Sequence, residues 1–201
     1  LYRRSLMTEH NIRFPLDVDY EEDCCFNVQY YRYVRKAFVV NCSMYRYRQS
    51  TVSLSKVYKE TTFRNLVNGY NERVKFISEF DHPKNLLDGV NVVFLVVLMG
   101  NFKKIETSTL TRKQKLTAYK NVLSFQETKD VVNSCALSKV NLTRQLTLAC
   151  REDNPKKIAR ILRNWRKKDK YVAWKTKVFG APKARKMKAL RATSPGRSLM
   201  T

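Results

Sequence analysis

Apolar positions along the second half of the chain repeat at the spacing of helix faces. Phe63, Leu66, Val67, Tyr70, Val74 and Ile77 fall three or four residues apart, which predicts one long amphipathic helix. Asn85–Phe102 predicts a second and more buried helix around the run Val90–Met99. That run is half the length of the roughly 20 apolar residues needed to cross a bilayer, so it predicts a core helix and not a membrane anchor. Thr111 and Gln114 form a capping-box pair ahead of Leu116, Tyr119, Val122 and Leu123. One or two short helices are expected within Val131–Cys150. Asn154-Pro155 is a helix start, and Ile158, Ile161, Leu162 and Trp165 line one side of the helix it opens.

The first part of the chain is more mixed. Residues 1–12 predict a short helix with Leu1, Leu6 and Met7 as its apolar positions, closed near Asn11, and Arg13–Tyr20 predicts a loop or short extended piece. From Glu21 on, Phe26, Tyr30, Tyr33 and Ala37 have the spacing of a helix face, and Ala37–Asn41 is a compact β-branched run that predicts a buried strand. Tyr45–Ser55 is polar, cationic and rich in Ser and Thr, as a loop would be. Beyond Lys175 the chain is basic and punctuated by Gly and Pro, which predicts disorder. No internal repeat is visible.

The chain has 201 residues, 43% of them hydrophobic, enough for a real core. Its net charge of +23 calls for a polyanionic partner such as nucleic acid, an anionic membrane face or a phosphate-bearing substrate. From Pro155 to Thr201 there are sixteen Lys and Arg and one acid, so the excess belongs mainly to the C-terminal segment. The five cysteines form no C-x-x-C pair, which argues against a disulfide framework or a structural zinc site and fits a reducing cytosol. His10 and His82 have no partner at ligand spacing, and none of the glycines forms a phosphate-binding loop. The chain begins at Leu1 and not Met, and this start is taken as a truncation.

The segment with most chemistry is Tyr20–Phe26, YEEDCCF. Acids in the first turn of a helix are favoured by its exposed N–H groups, and Glu21 reads as such a charged start. Three acids in a row exceed what capping needs. A carboxylate at a helix start beside a cleft is well placed to act as a general base.

In order, LYRRSL, N-I-R-F-P, Y-E-E-D-x-x-F, a strand-like run and Y-R-Q-x-x-x-S-L-S resemble the inverting family 2 glycosyltransferases of bacterial polysaccharide synthesis, over residues 1–57. The resemblance implies an α/β fold, with the C-terminal half of a nucleotide-sugar glycosyltransferase (GT-A-like) catalytic domain at 1–57; the periodicity and composition read above add a mainly α-helical region at 58–175 and a basic tail at 176–201. The resemblance implies sugar transfer with inversion from a nucleotide-sugar donor to a saccharide or lipid-linked saccharide acceptor. It gives Asp23 the role of catalytic base and places Glu22, Tyr47, Arg48 and Gln49 at the substrates, with Arg48 near the leaving diphosphate; Tyr45, in the same loop, joins them as an aromatic face on which a sugar can stack. A divalent metal (Mg or Mn) is implied too, its main ligands expected ahead of Leu1 with the donor-binding half. Asp17-Val18-Asp19 spells D-V-D but falls where the family has a variable loop. Thr51-Val52 stands where relatives often have Pro-Gly.

Residues 155–179 interleave Arg160, Arg163, Arg166, Lys167, Lys168 and Lys170 with apolar and aromatic positions. That composition suits a helix on an anionic membrane surface at the inner face, and equally a solvated cationic face on an ordinary helix. Two rival functions remain: a nucleic-acid-binding protein and a non-catalytic helical adaptor derived from a transferase. The first is opposed by the absence of a recognised binding motif and by the acids of YEEDCCF.

Overall fold

A computed structural model describes residues 2–16, 21–38, 57–81 and 83–179. The regular structure of these residues is wholly helical: α1 (Arg4–Glu9), α2 (Glu22–Tyr31), α3 (Glu60–Ile77), α4 (Pro83–Thr107), α5 (Arg112–Ser124), α6 (Gln126–Ser134), α7 (Asn141–Arg151) and α8 (Pro155–Phe179). The expected α/β fold is therefore corrected. A GT-A-like domain needs a central sheet, and no strand occurs among the described residues. Of the run expected as a strand, Ala37 and Phe38 have no regular structure and Phe38 is 96% exposed. A strand needs a neighbour to satisfy its backbone N–H and C=O groups, and the described residues offer none. The remainder of that run, 39–41, lies outside the described residues.

The chain divides into two compact units, Leu1–Arg166 and Lys167–Thr201. In the first, α3 to α7 and the start of α8 surround one core. Leu98, Phe102, Ile105, Tyr119, Leu146, Ile158 and Leu162 are wholly buried there. The stripe read on α3 is the face that packs: Phe63, Leu66, Val67 and Tyr70 are buried in this core with Val74 against them, and Ile77 is buried at the end of the helix. Thr111 and Gln114 form the expected capping box, the Thr111 hydroxyl accepting from the Gln114 N–H and the Gln114 side chain accepting from the Thr111 N–H at 2.9 Å. At α8, the Asn154 side chain accepts from the Lys157 N–H at 2.9 Å, as a cap ahead of Pro155 should.

Two helices depart from their pattern. α2 stops at Tyr31, so Tyr33 and Ala37, in phase with Phe26 and Tyr30, fall beyond it and are exposed. α4 is longer than expected and is not buried all round. Phe94, Leu98, Phe102 and Ile105 face the core, while Val92, Val93 and Val96 stand in solvent, Val96 at 64% exposure. By length and composition α4 is apolar enough to cross a membrane, and 39% of its most apolar stretch is buried in this fold.

A polar cluster ties the far end of α4 to α5 and α8. Glu106 is buried, and its Oε2 accepts from the Tyr119 hydroxyl at 3.1 Å. Its backbone oxygen accepts from Lys115 Nζ and from Arg166 Nη1, and Arg166 also lies 3.9 Å from the carboxylate. Burial, and then the Glu106 charge, push the Tyr119 hydroxyl far up, so it stays a donor. Arg166 thus serves the interior and is not part of a free cationic face. Ile158 and Leu162 are wholly buried. The apolar side that an interfacial helix would lay on lipid is already used over Ile158–Trp165. In the second unit, Lys167, Lys168 and Lys170 are exposed, as are Tyr171 and Val172.

Candidate functional site

The start of α2 is fixed from outside the helix. Glu21 precedes it in a left-handed conformation (φ 71°, ψ 14°) and makes no side-chain cap hydrogen bond. Its carboxylate is instead bonded to Arg73 of α3, with the two side chains 12% and 20% exposed. The approach is close because position 69 is glycine. A Cβ built there would lie 3.2 Å from Glu21 Cβ and Oε2, tighter than ordinary contact. Glu21 is thus not the simple charged helix start its neighbourhood suggests. It is a tether between segments 52 residues apart.

With Glu21 so engaged, Asp23 is the exposed acid of the first turn. Its Oδ1 accepts from the Cys24 N–H at 2.7 Å. Asp23 lines an open cleft of about 470 Å³ between α2, α3 and α4. Asn27 and Tyr31 lie one and two turns further along α2 and complete a polar edge. Phe76, Ile77 and Val90 supply an apolar side. The Asn27 side-chain oxygen accepts from the Tyr2 hydroxyl at 2.7 Å, which orients the amide. Apolar walls with a few convergent polar groups are what a small polyhydroxylated ligand requires. An exposed carboxylate at the rim has the access a proton acceptor needs.

Of the residues singled out by sequence, Asp23 is in this cleft, and Glu22, half-buried in the same turn, is not among its lining residues. Tyr45, Tyr47, Arg48 and Gln49 lie outside the described residues, as do Asp17-Val18-Asp19 and His82. Tyr31 belongs to the aromatic-rich patch of the sequence, whereas Arg73, Asn27 and Gly69 were not anticipated. A lone glycine within a strongly periodic helix was the one available signal, since it often marks close packing. Among the described residues no group of three or more His, Cys, Asp or Glu could hold a metal ion.

Replacing Arg73 with methionine should cost about 1–3 kcal/mol, because it leaves the mostly buried Glu21 carboxylate without its hydrogen-bond partner. Arg73→Lys should cost less. A lowered urea midpoint at unchanged slope would show this, and an unshifted midpoint would mean that the pair does not hold α2.

Cys24, Cys25, Cys135 and Cys150 are free thiols. Burial pushes Cys24 up to about 11, with Arg73 opposing, and pushes Cys150 up to about 12. Between the ordinary 9.0 and those values, the folded chain keeps protons that the unfolded chain has released. Stability is therefore whole below about pH 9 and falls as pH rises through this window. Denaturant midpoints that do not drop between about pH 8 and about pH 10.5 would contradict that sign. Cys150→Ala should flatten the decline.

Comparison with known proteins finds a distant similarity. Over 149 residues the chain is 24% identical to a protein described as an uncharacterized glycosyltransferase, EpsJ, of Bacillus subtilis (strain 168). The match takes in 72% of this chain but spans 42% of that protein. No protein-family model matches the sequence. No solved structure matches it either.

Proposed function

We propose that this chain supplies the acceptor side of a glycosyltransferase, with Asp23 as the base that takes the proton from an incoming sugar hydroxyl. The observation that carries this is the division of labour at the start of α2: Glu21 is neutralised by Arg73, and Asp23 is left exposed at the edge of the cleft. The similarity to a glycosyltransferase supports the general class. Inversion, a nucleotide-sugar donor and a saccharide or lipid-linked acceptor come from the motif resemblance of residues 1–57. A role for Arg48 beside the leaving diphosphate rests on that resemblance alone, as does a divalent metal.

In this reading the acceptor sugar lies along Asp23, Asn27 and Tyr31, where the amide and phenol hydrogen-bond its hydroxyls. Inverting transfer is a single displacement, so one base on the acceptor side suffices. Docking on an anionic membrane is best confined to the stretch from Lys167 on, because the earlier turns of α8 have spent their apolar side on the core. The test is transfer of a labelled sugar from nucleotide-sugar donors to saccharide acceptors by the full-length natural protein. Transfer undiminished in Asp23→Asn would remove the base.

A further inference from the structure

A second cleft, of about 870 Å³, opens between α1 and the C-terminal end of α2. Four cations line it, Arg3, Arg32, Arg35 and Lys36, against one acid, Glu9. Arg32 has a partner, Glu79, at 3.2 Å. The side chains of Arg3, Arg35 and Lys36 form no ion pair among the described residues. One wall is flat: His10 stacks on Tyr33, with ring centroids 3.6 Å apart and planes within 4°. The floor includes Tyr30, whose hydroxyl accepts from the Arg3 N–H at 2.7 Å and so fixes the first turn of α1 beside α2.

Cations that repel one another around a concave surface raise the local concentration of anions, and a concave wall focuses that field. Guanidinium groups suit phosphate in particular, because they offer paired donors in a fork. A flat aromatic pair beside them offers a face to a ring. We infer that this cleft is an anion site for phosphate esters that carry a ring, with Arg3, Arg35 and Lys36 on the phosphate and the Tyr33–His10 pair beside the ring. The site is distinct from the cleft at Asp23, and its test does not involve sugar transfer, so failure of the transferase reading leaves it standing.

The test is calorimetric titration of the chain, in chelator-containing buffer at low salt, with inorganic phosphate, pyrophosphate and phenyl phosphate. Saturable one-site binding is expected, with phenyl phosphate tighter than inorganic phosphate. Arg35→Ala/Lys36→Ala should weaken binding of all three at least tenfold. Both residues are exposed and lie beyond the end of α2, so the fold should persist. Lys167→Ala/Lys168→Ala removes the same charge elsewhere and should leave binding intact. Tyr33→Leu should erase the preference for phenyl phosphate alone. Sedimentation with phosphatidylglycerol vesicles separates the sources. If only vesicles bind, or if the two double variants weaken binding equally, the cleft is a general cationic surface and the inference is overturned. Absence of saturable binding overturns it as well.

Discussion

Asp23→Asn should lower sugar transfer by about 10²–10⁴-fold, the usual contribution of a positioned general base. Asparagine keeps the shape and can still accept from the Cys24 N–H, so folding and acceptor binding should be spared. The effect should fall on turnover and leave the acceptor KM nearly unchanged, because the proton moves in the transition state and not on binding. Glu21→Gln is the informative companion. It weakens the link to Arg73 and should show mainly in stability, with the pH dependence of transfer preserved. If Glu21→Gln abolishes transfer and Asp23→Asn does not, the two acids have been assigned the wrong way round.

The largest effect on stability is expected at the Glu106 cluster. Tyr119→Phe removes the hydroxyl that donates to Glu106 Oε2 in a buried setting. The nearest remaining cation, Arg166, is 3.9 Å away, and its side chain is 38% exposed. The carboxylate is then buried with little compensation, at a cost of about 3 kcal/mol. Paired replacement, Tyr119→Phe with Glu106→Leu, should recover much of that loss, since an apolar pair of similar volume needs no hydrogen bond. Chemical denaturation of the two variants decides the matter. A double variant less stable than the single one would show that Glu106 is held by its other contacts.

α3, α5 and the start of α8 were legible because their information is local: the α3 stripe, the capping pair at Thr111 and Gln114, and the cap-proline start at Asn154-Pro155 each sit within a few turns of the element they define, whereas α6 begins at Gln126, ahead of the span Val131–Cys150 in which short helices were expected. α2 was misread at its end because Tyr33 and Ala37 continue its phase although the chain has already turned. The valines of α4 misled in the other direction. Composition alone cannot tell an apolar residue that faces the core from one left in water, and Val92, Val93 and Val96 are in water. The expected strand rested on β-branched composition, and its described part, Ala37 and Phe38, has no neighbour among the described residues to pair with. Asp23 was legible as one of three consecutive acids. What set it apart was not, because Arg73 reaches Glu21 from another helix and only the folded chain brings them together.

The meeting of Glu21, Gly69 and Arg73 also limits the routes by which this chain can change over generations. A larger residue at 69 requires Glu21 to give way by a few tenths of an ångström, and a Glu21 displaced or replaced to make that room strands Arg73. Each position thus decides whether a replacement at the others is harmless or harmful, so the order of events matters. A variant carrying two of the changes can be fitter than either predecessor, and drift at the mouth of the cleft should proceed in linked steps.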